Sequence, residues 1–550
     1  MPYSILLRMY SVTILALNGM NGCHPAVKYT AIKLWLSGWA CVWLIRSYIP
    51  ARRCNTMVIS KSKYMRGCQC SKALWLSVNK PELADEIQTI STQQGDEVGE
   101  CARTYFPDAI TIPLDRTVEM TNQTTAAIQT GRRHICEATF MGDGLSCSCD
   151  IVVMHDKKSL DIIEVKSSMS IKDRQLDDVC FQAYVVTQAG YDVQNVFLMH
   201  PTQGYAYVDS FDVHAFFTLE NVTDIIKNKM PMIKDNILTF TEICSEQEPS
   251  CDIGMHCEKP YECPFKEYCH QLHNIPEKSV FDIPGMAASK KYSLYKAGMV
   301  SVEDLSNSGD ALTDKQKELV KDLSLMPGES IIRKAELEKF LGALHYPMYY
   351  LDFESFQKAI PPFPQTHPYS QIPFQYSLHI QQYAVGPVEH REFLAEAGKD
   401  PRRYLAEQLV RDIPMGAHAI AYNSSFEKTV CRKLAERFPD LKEGLHSIAN
   451  NMDDLLIPFK NKWVYTSSMR GSCSIKAVLP ALCGDDPSLD YHSLPGVQNG
   501  AQASETYGNL QFVEDAAEVQ KIRDGLLLYC GLDTLAMVKI LEKLYSYIRK

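Results

Sequence analysis

The chain has 550 residues, which at the usual size of about 100–200 residues per domain leaves room for two or three domains. Its formal net charge of −10 excludes a protein that coats nucleic acid through bulk positive charge, while clustered carboxylates and local basic patches remain compatible with it. The 19 cysteines are odd in number and scattered along a long chain, which excludes a small disulfide scaffold and fits a reducing, cytoplasmic compartment with some thiols held as metal ligands.

Residues 1–56 contain no Asp or Glu yet hold three of the five tryptophans, Trp35, Trp39 and Trp43. The uncharged run Leu34–Ile45 is too short for a bilayer, which needs about 20 residues, so no membrane association is expected. This segment reads as an over-extended start, with translation beginning at Met57, or else as an acid-free transit leader. Residues 57–275 mix helices with short β-rich runs.

Within them, Leu160–Ser167 reads L-D-I-I-E-V-K-S. Side chains alternate across a strand, so Ile163 and Val165 face one way and Glu164 and Lys166 the other. A second β-rich run begins at Asp150. If the two strands pair, Asp150 and Glu164 can share a divalent metal, and Lys166 can stabilise charge on an attacked phosphate. With Gln182 and Tyr184 in F-Q-A-Y and the helix motif Gly95 to Glu100, the stretch from Ser60 to His270 resembles the PD-(D/E)xK nucleases of the RecB type. These usually carry a histidine near Gly99. This chain has none, and Glu100 is the replacement to consider.

Cys257, Cys263 and Cys269 are evenly spaced, and Cys70 lies far upstream in R-G-C-Q-C-S. The set resembles the clip of RecB-type nucleases in which one early and three late cysteines hold a [4Fe–4S] cluster. Thiolates also suit zinc, but usually in tighter pairs. The late spacing departs from the relatives, with Pro260 where a cysteine is expected, so Cys257 or Cys251 must serve.

Residues 276–340 read as two short helices around Gly285 and Gly298, loosely resembling a helix-hairpin-helix, or a plain helical linker. From residue 341 a second α/β pattern begins. Tyr349–Glu354 reads Y-Y-L-D-F-E, a strand with Asp352 and Glu354 on one face; two such carboxylates need neutralising, which divalent cations do. The stretch Pro361–Pro373 reads as a loop. Asn423 and Glu427 stand four apart, Asp453 and Asp454 follow, and Tyr529 and Asp533 share a face of a strong helical run at Leu526–Leu541.

In this order the motifs resemble the tyrosine-type DEDD exonucleases of the RNase H-like fold over Tyr346–Lys550. The resemblance implies two Mg²⁺ or Mn²⁺ ions held by the carboxylates, with Tyr529 orienting the attacking water. Glu427 stands where the family has Asp, and Asp454 is the alternative third carboxylate. Met57–Lys550 as a whole resembles a bacterial family, catalogued as a domain of unknown function, that joins these two modules.

The expected fold is therefore α/β: a restriction-endonuclease-like domain and an RNase H-like domain (341–550) joined by a small helical segment. The expected function is metal-dependent hydrolysis of DNA or RNA, 3′→5′ in the C-terminal module, with a second nuclease site in the N-terminal one. The alternative is a catalytically inactive iron–sulfur factor that binds nucleic acid.

Overall fold

The computed structural model describes residues 58–85, 91–283, 285–307, 312–325, 328–384 and 386–549, together with the backbone of three earlier strands. Those strands, Arg8–Val12, Lys28–Leu36 and Trp39–Ser47, pair antiparallel within a small unit ending at Ile59. The side chains of residues 1–57 lie outside the described residues, and with them the expectation about the start of the chain. Residues 60–550 form one further compact unit. It is α/β, with two mixed sheets.

The first sheet is preceded by helices α1 (Lys61–Gln69), α2 (Ser71–Asn79) and α3 (Ser91–Arg103). It is built from β1 (Ile110–Thr111), β2 (His134–Gly142), β3 (Leu145–Met154), β4 (Ser159–Val165), β5 (Asp192–Pro201) and β6 (Phe217–Asn221), in the order β6-β5-β4-β3-β2-β1. The hairpins β2–β3 and β3–β4 are antiparallel, whereas β4 and β5 run parallel. A parallel pair needs a crossover, and α4 (Asp173–Gln188) supplies it. Leu176, Val179, Phe181 and Val185 are buried on more than one side of this helix, which packs against the sheet and against α1. Tyr64 of α1 stacks on Phe181 at 4.6 Å and meets Phe240 of α5 (Thr223–Ser245) at 5.5 Å. Gly67 permits that approach, since a Cβ there would lie 2.7 Å from the Phe240 ring.

The segment after the first sheet has a core of its own. Val280, Ile283, Met286, Leu294, Val302, Leu305, Leu312 and Val320 pack together across α6 (Ala288–Lys296), α7 (Val302–Ser306) and α8 (Asp314–Leu323). Gly285 and Gly298 have φ of 66° and 80°, the left-handed turns that only glycine adopts freely.

The second sheet contains β7 (Met348–Phe356), β8 (Ile372–Gln381), β9 (Val388–Leu394), β10 (His418–Ala421) and β11 (Met452–Asp454), ordered β9-β8-β7-β10-β11. The first three are antiparallel; β10 and β11 join parallel. Tyr349, Leu351 and Phe353 face a core made with α9 (Arg402–Asp412), α10 (Ser425–Arg437) and α11 (Lys442–Asn450). Met348, Tyr350 and Phe356 face the other core, made with α12 (Ile475–Cys483), α13 (Gly500–Asn509) and the 33-residue α14 (Ala516–Ile548).

The loop expected at Pro361–Pro373 occupies 357–371, with Pro373 already inside β8. It joins the two sheets. Ala359, Ile360 and Tyr369 pack in the core of the first sheet with Val98, Ile151 and Ile163, and Tyr207 and Thr366 form a β-bridge. Among the described residues, no helix is long and apolar enough to cross a membrane.

Candidate functional site

In the second sheet, strand alternation puts Asp352 and Glu354 of β7 on the side covered by α14. There Asp533 meets them: carboxylate oxygens of all three lie within 4.8 Å of one another. Glu354 and Asp533 are buried and Asp352 is half-buried. Three carboxylates so close repel as anions. Desolvation, then the charges of Asp533, Glu427 and Glu354, holds Asp352 well above the usual carboxylate range. Glu354 is pushed up to about 8 by burial and by Asp533. Asp533 rises less, to about 6, because Tyr491 donates a 2.6 Å hydrogen bond to its Oδ1 and the cation Lys476 faces it.

Tyr529, one helical turn before Asp533, is 4% exposed. Its phenol is raised far above the ordinary range by burial and by Asp533, Glu354 and Asp352, so it stays a neutral O–H donor. Gly500 opens α13 beside these groups; a Cβ there would sit 3.6 Å from Glu354 Oε2 and 3.9 Å from Tyr529 Oη. The positive end of that helix therefore abuts Glu354.

Glu427, in the first turn of α10, is buried, with its Oε2 lacking a hydrogen-bond partner among the described residues. Burial, then Asp454, pushes it up to about 8. Asp454 has another task. Its Oδ1 accepts from the backbone N–H groups of Asn423 and Leu456, both at 2.9 Å, and so holds the turn in which Asn423 adopts φ 67°.

Two neighbours escaped the sequence reading. Lys476 Nζ donates to the Gln498 carbonyl at 2.8 Å and lies over the rings of Tyr529 and Tyr491, at 4.8 and 5.1 Å. Tyr491 stands in no motif with Asp352 or Asp533, and Lys476, in the stretch G-S-C-S-I-K-A-V-L-P that follows Asp454, is given no role by the sequence reading. The one available signal was the lone lysine in the otherwise apolar helix Ile475–Cys483.

In the first sheet β3 and β4 do pair, and Asp150 and Glu164 come from adjacent strands. Asp150 Oδ2 accepts from Val165 N at 2.6 Å. Burial and Glu164 raise the Asp150 carboxyl to about 7. Glu164 is different. Burial opposes its charge, but Lys166 at 2.6 Å and Lys61 at 3.0 Å outweigh that and hold it well below the usual range. Gln182 donates to Glu164 Oε2 at 2.7 Å, and Asp178 receives Lys166 at 2.6 Å. Lys61 and Asp178 are further members that sequence reasoning missed. Tyr184 is half-buried on α4, and Glu100 is exposed on α3, whose Glu97 instead pairs with Lys358 at 2.6 Å.

Cys70, at the junction of α1 and α2, meets the late cysteines. Its Sγ is 3.7 Å from Cys251 Sγ, and Cys251 Sγ is 3.7 Å from His256 Nε2. Burial pushes the Cys251 thiol up to about 12, and Cys70, Cys257 and Cys269 add to the shift. Burial likewise raises Cys263 to about 11 and Cys269 to about 12, with Cys70 and Cys257 adding to both. The expected set of Cys70, Cys257, Cys263 and Cys269 thus gathers with a fifth thiol. The tightest group, however, is Cys70, Cys251 and His256.

The β7 strand opens a recognisable stretch of sequence. Residues 349–474 match the family described as a domain of unknown function, DUF2779. The DUF2779 match spans Asp352, Glu354, Asn423, Glu427 and Asp454, and ends before Lys476, Tyr529 and Asp533. No curated protein matches the chain.

Proposed function

We propose that this protein is a metal-dependent nuclease whose C-terminal module removes nucleotides 3′→5′ from DNA or RNA. The observation that carries the reading is the cluster Asp352–Glu354–Asp533, three acids within ligand distance of a common point, with Glu427 buried nearby. Their proton affinities are raised by burial and mutual repulsion that Lys476 offsets only in part, and hard divalent cations with oxygen ligands would offset the rest. The strand order 3-2-1-4-5 in the second sheet supports an RNase H-like fold, with Asp352 and Glu354 on its central strand.

Asp352, Glu354, Asp533 and Glu427 are the residues to hold Mg²⁺ or Mn²⁺. Such ions, when bound, activate water and offset charge on the leaving oxygen. Tyr529 keeps its proton and donates toward the nucleophile's position. Tyr491 fixes one oxygen of Asp533, and Lys476 offers a positive charge to the same acids.

The first sheet, with Asp150, Glu164, Lys166 and Gln182, is read as a second, PD-(D/E)xK-type site. One observation favours its alternative role as a nucleic-acid-holding platform: Lys61 and Lys166 already balance Glu164. The five thiols with His256 fit a thiophilic group, because soft thiolate and imidazole donors converge here from both ends of the module. A [4Fe–4S] cluster is preferred over zinc for this tie.

The deciding experiment follows 3′-labelled single strands of DNA and of RNA in Mg²⁺ or Mn²⁺, in a Lys166→Ala background that silences the first site. Asp352→Ala should reduce the rate by orders of magnitude, the loss expected when metal-held charge stabilisation disappears. Tyr529→Phe should slow the reaction while leaving metal binding intact. If Asp352→Ala degrades the strands as fast as its parent, the exonuclease reading is wrong.

A further inference from the structure

A groove of 660 Å³ runs from the Glu164 site toward the thiol cluster, lined among others by Lys61, Arg66, Lys166, Arg174, Tyr261 and Cys263. Tyr261, in the loop between Cys257 and Cys263, is 62% exposed, although a large aromatic ring gains by burial. Its position is nonetheless fixed. The Gln69 side-chain amide donates to the Tyr261 carbonyl at 2.7 Å and to the His256 carbonyl at 2.8 Å. One face of the ring is stacked on the Arg174 guanidinium, whose carbon lies 4.2 Å from the ring centroid. Arg174 Nη1 is buried without a hydrogen-bond partner among the described residues.

We propose that this groove binds a single-stranded nucleic acid, with Tyr261 as a base-stacking platform and Arg66 and Arg174 as phosphate contacts. The inference rests on the reading of residues 60–273 as a module that cuts or holds nucleic acid, and it names the substrate form. Of the acids that line it, Asp178 is paired with Lys166 and Lys61, and Glu262 with Lys266 at 3.0 Å; Asp85 is exposed to solvent. The arginines are therefore the charges left to meet phosphate. The volume lies within the range of roughly 300–1,000 Å³ that encloses compact ligands, enough for a short stacked run of nucleotides but not a duplex. A duplex also hides its base faces in its own stack, whereas an unpaired base offers a face to Tyr261 whatever its identity.

The test measures binding, not cleavage. Fluorescein-labelled oligothymidylate, oligouridylate and a duplex of equal length are titrated with the full chain in EDTA, by anisotropy. Tyr261→Ala should weaken single-strand binding by roughly 5–150-fold, the range for loss of one stacked base. Tyr261→Phe should retain it, since the ring and not the hydroxyl does the stacking. Arg174→Ala should weaken binding and make it less steep in salt, as loss of a phosphate contact requires. Tyr404→Ala, at another exposed tyrosine on α9, is the control and should change nothing. The proposal is overturned if Tyr261→Ala binds like the parent, if the duplex binds more tightly than the single strands, or if no strand binds. Each of these results leaves the Asp352-dependent cleavage assay free to succeed, so the two readings fail separately.

Discussion

At the residue scale, Glu427 and Asp454 compete for the third carboxylate, and their surroundings separate them. Glu427 is buried with an oxygen that has no donor among the described residues, an arrangement that disfavours its charge and that a cation would relieve. Asp454 accepts two backbone N–H groups and holds a left-handed Asn423 in place. Glu427→Ala should therefore abolish metal-dependent activity yet leave the metal-free protein at least as stable, because a buried acid with one unpartnered oxygen is removed. Asp454→Ala should lower stability by about 1–2 kcal/mol, the usual loss for a carboxylate that caps backbone donors, and Asp454→Asn should recover most of it. Urea melts in EDTA beside exonuclease rates give both readouts. A silent Glu427→Ala would exchange the two roles.

At the element scale, the junction of α1 and α2 does the tying. Helix α1 is pinned by Tyr64 on Phe181 and by the close approach at Gly67, and this delivers Cys70 to a loop some 180 residues later, 3.7 Å from Cys251 Sγ. A metal or cluster at these thiols closes a long loop, which stabilises the folded state by binding to it alone. Protein purified without oxygen should be brown, absorb near ~400 nm and contain iron and sulfide. Cys70→Ser should lose the colour and unfold the first module at lower temperature. Stoichiometric zinc in a colourless protein would keep the tie and replace the cluster; a protein with neither would reduce the five cysteines to ordinary unligated thiols.

At the scale of the whole molecule, the segment 357–371 makes residues 60–550 one body. It leaves the strand bearing Asp352 and Glu354, buries Ala359 in the first sheet's core, and ends where the Tyr369 hydroxyl donates to the Ser167 carbonyl at 2.6 Å, next to Lys166. A pH dependence also belongs to this scale. Asp533, Glu354 and Glu427 have folded-state pKa values raised to about 6, 8 and 8, from ordinary values of 3.8, 4.5 and 4.5. A raised carboxyl favours folding while it is protonated, so its contribution is full below about pH 4 and is lost as the pH climbs toward 8. Glu164, held low, acts oppositely, and its contribution is lost only as the pH falls below its ordinary 4.5. The metal-free protein should thus melt at progressively lower temperature between pH 5 and 8, within the window set by those shifts. Mg²⁺ or Mn²⁺ should restore the melting temperature at pH 8 and do little at pH 5, where the ligands are protonated. Scanning fluorimetry with and without EDTA measures this, and a flat profile indifferent to metal would exclude a cation site at Asp352.

Much of this was legible in the linear chain because strand and helix periods are local. Alternation alone put Asp352 with Glu354 and Leu351 with Phe353, and a four-residue step put Tyr529 over Asp533. Those rules cannot say which distant elements meet. That β7 runs beneath α14, so that Asp533 closes on Asp352, was inferred only from the order of motifs. Tyr491 and Lys61 belong to no pattern shared with their partners, and His256 joins Cys70 and Cys251 because α1 packs against α4 and α5. Tertiary packing also decided the charge states. Glu164 and Glu354 look alike on their strands, yet one is held ionised by two lysines while the other is driven toward its neutral form by burial and by Asp533, since electrostatics in a desolvated site depends on neighbours in space and not in sequence.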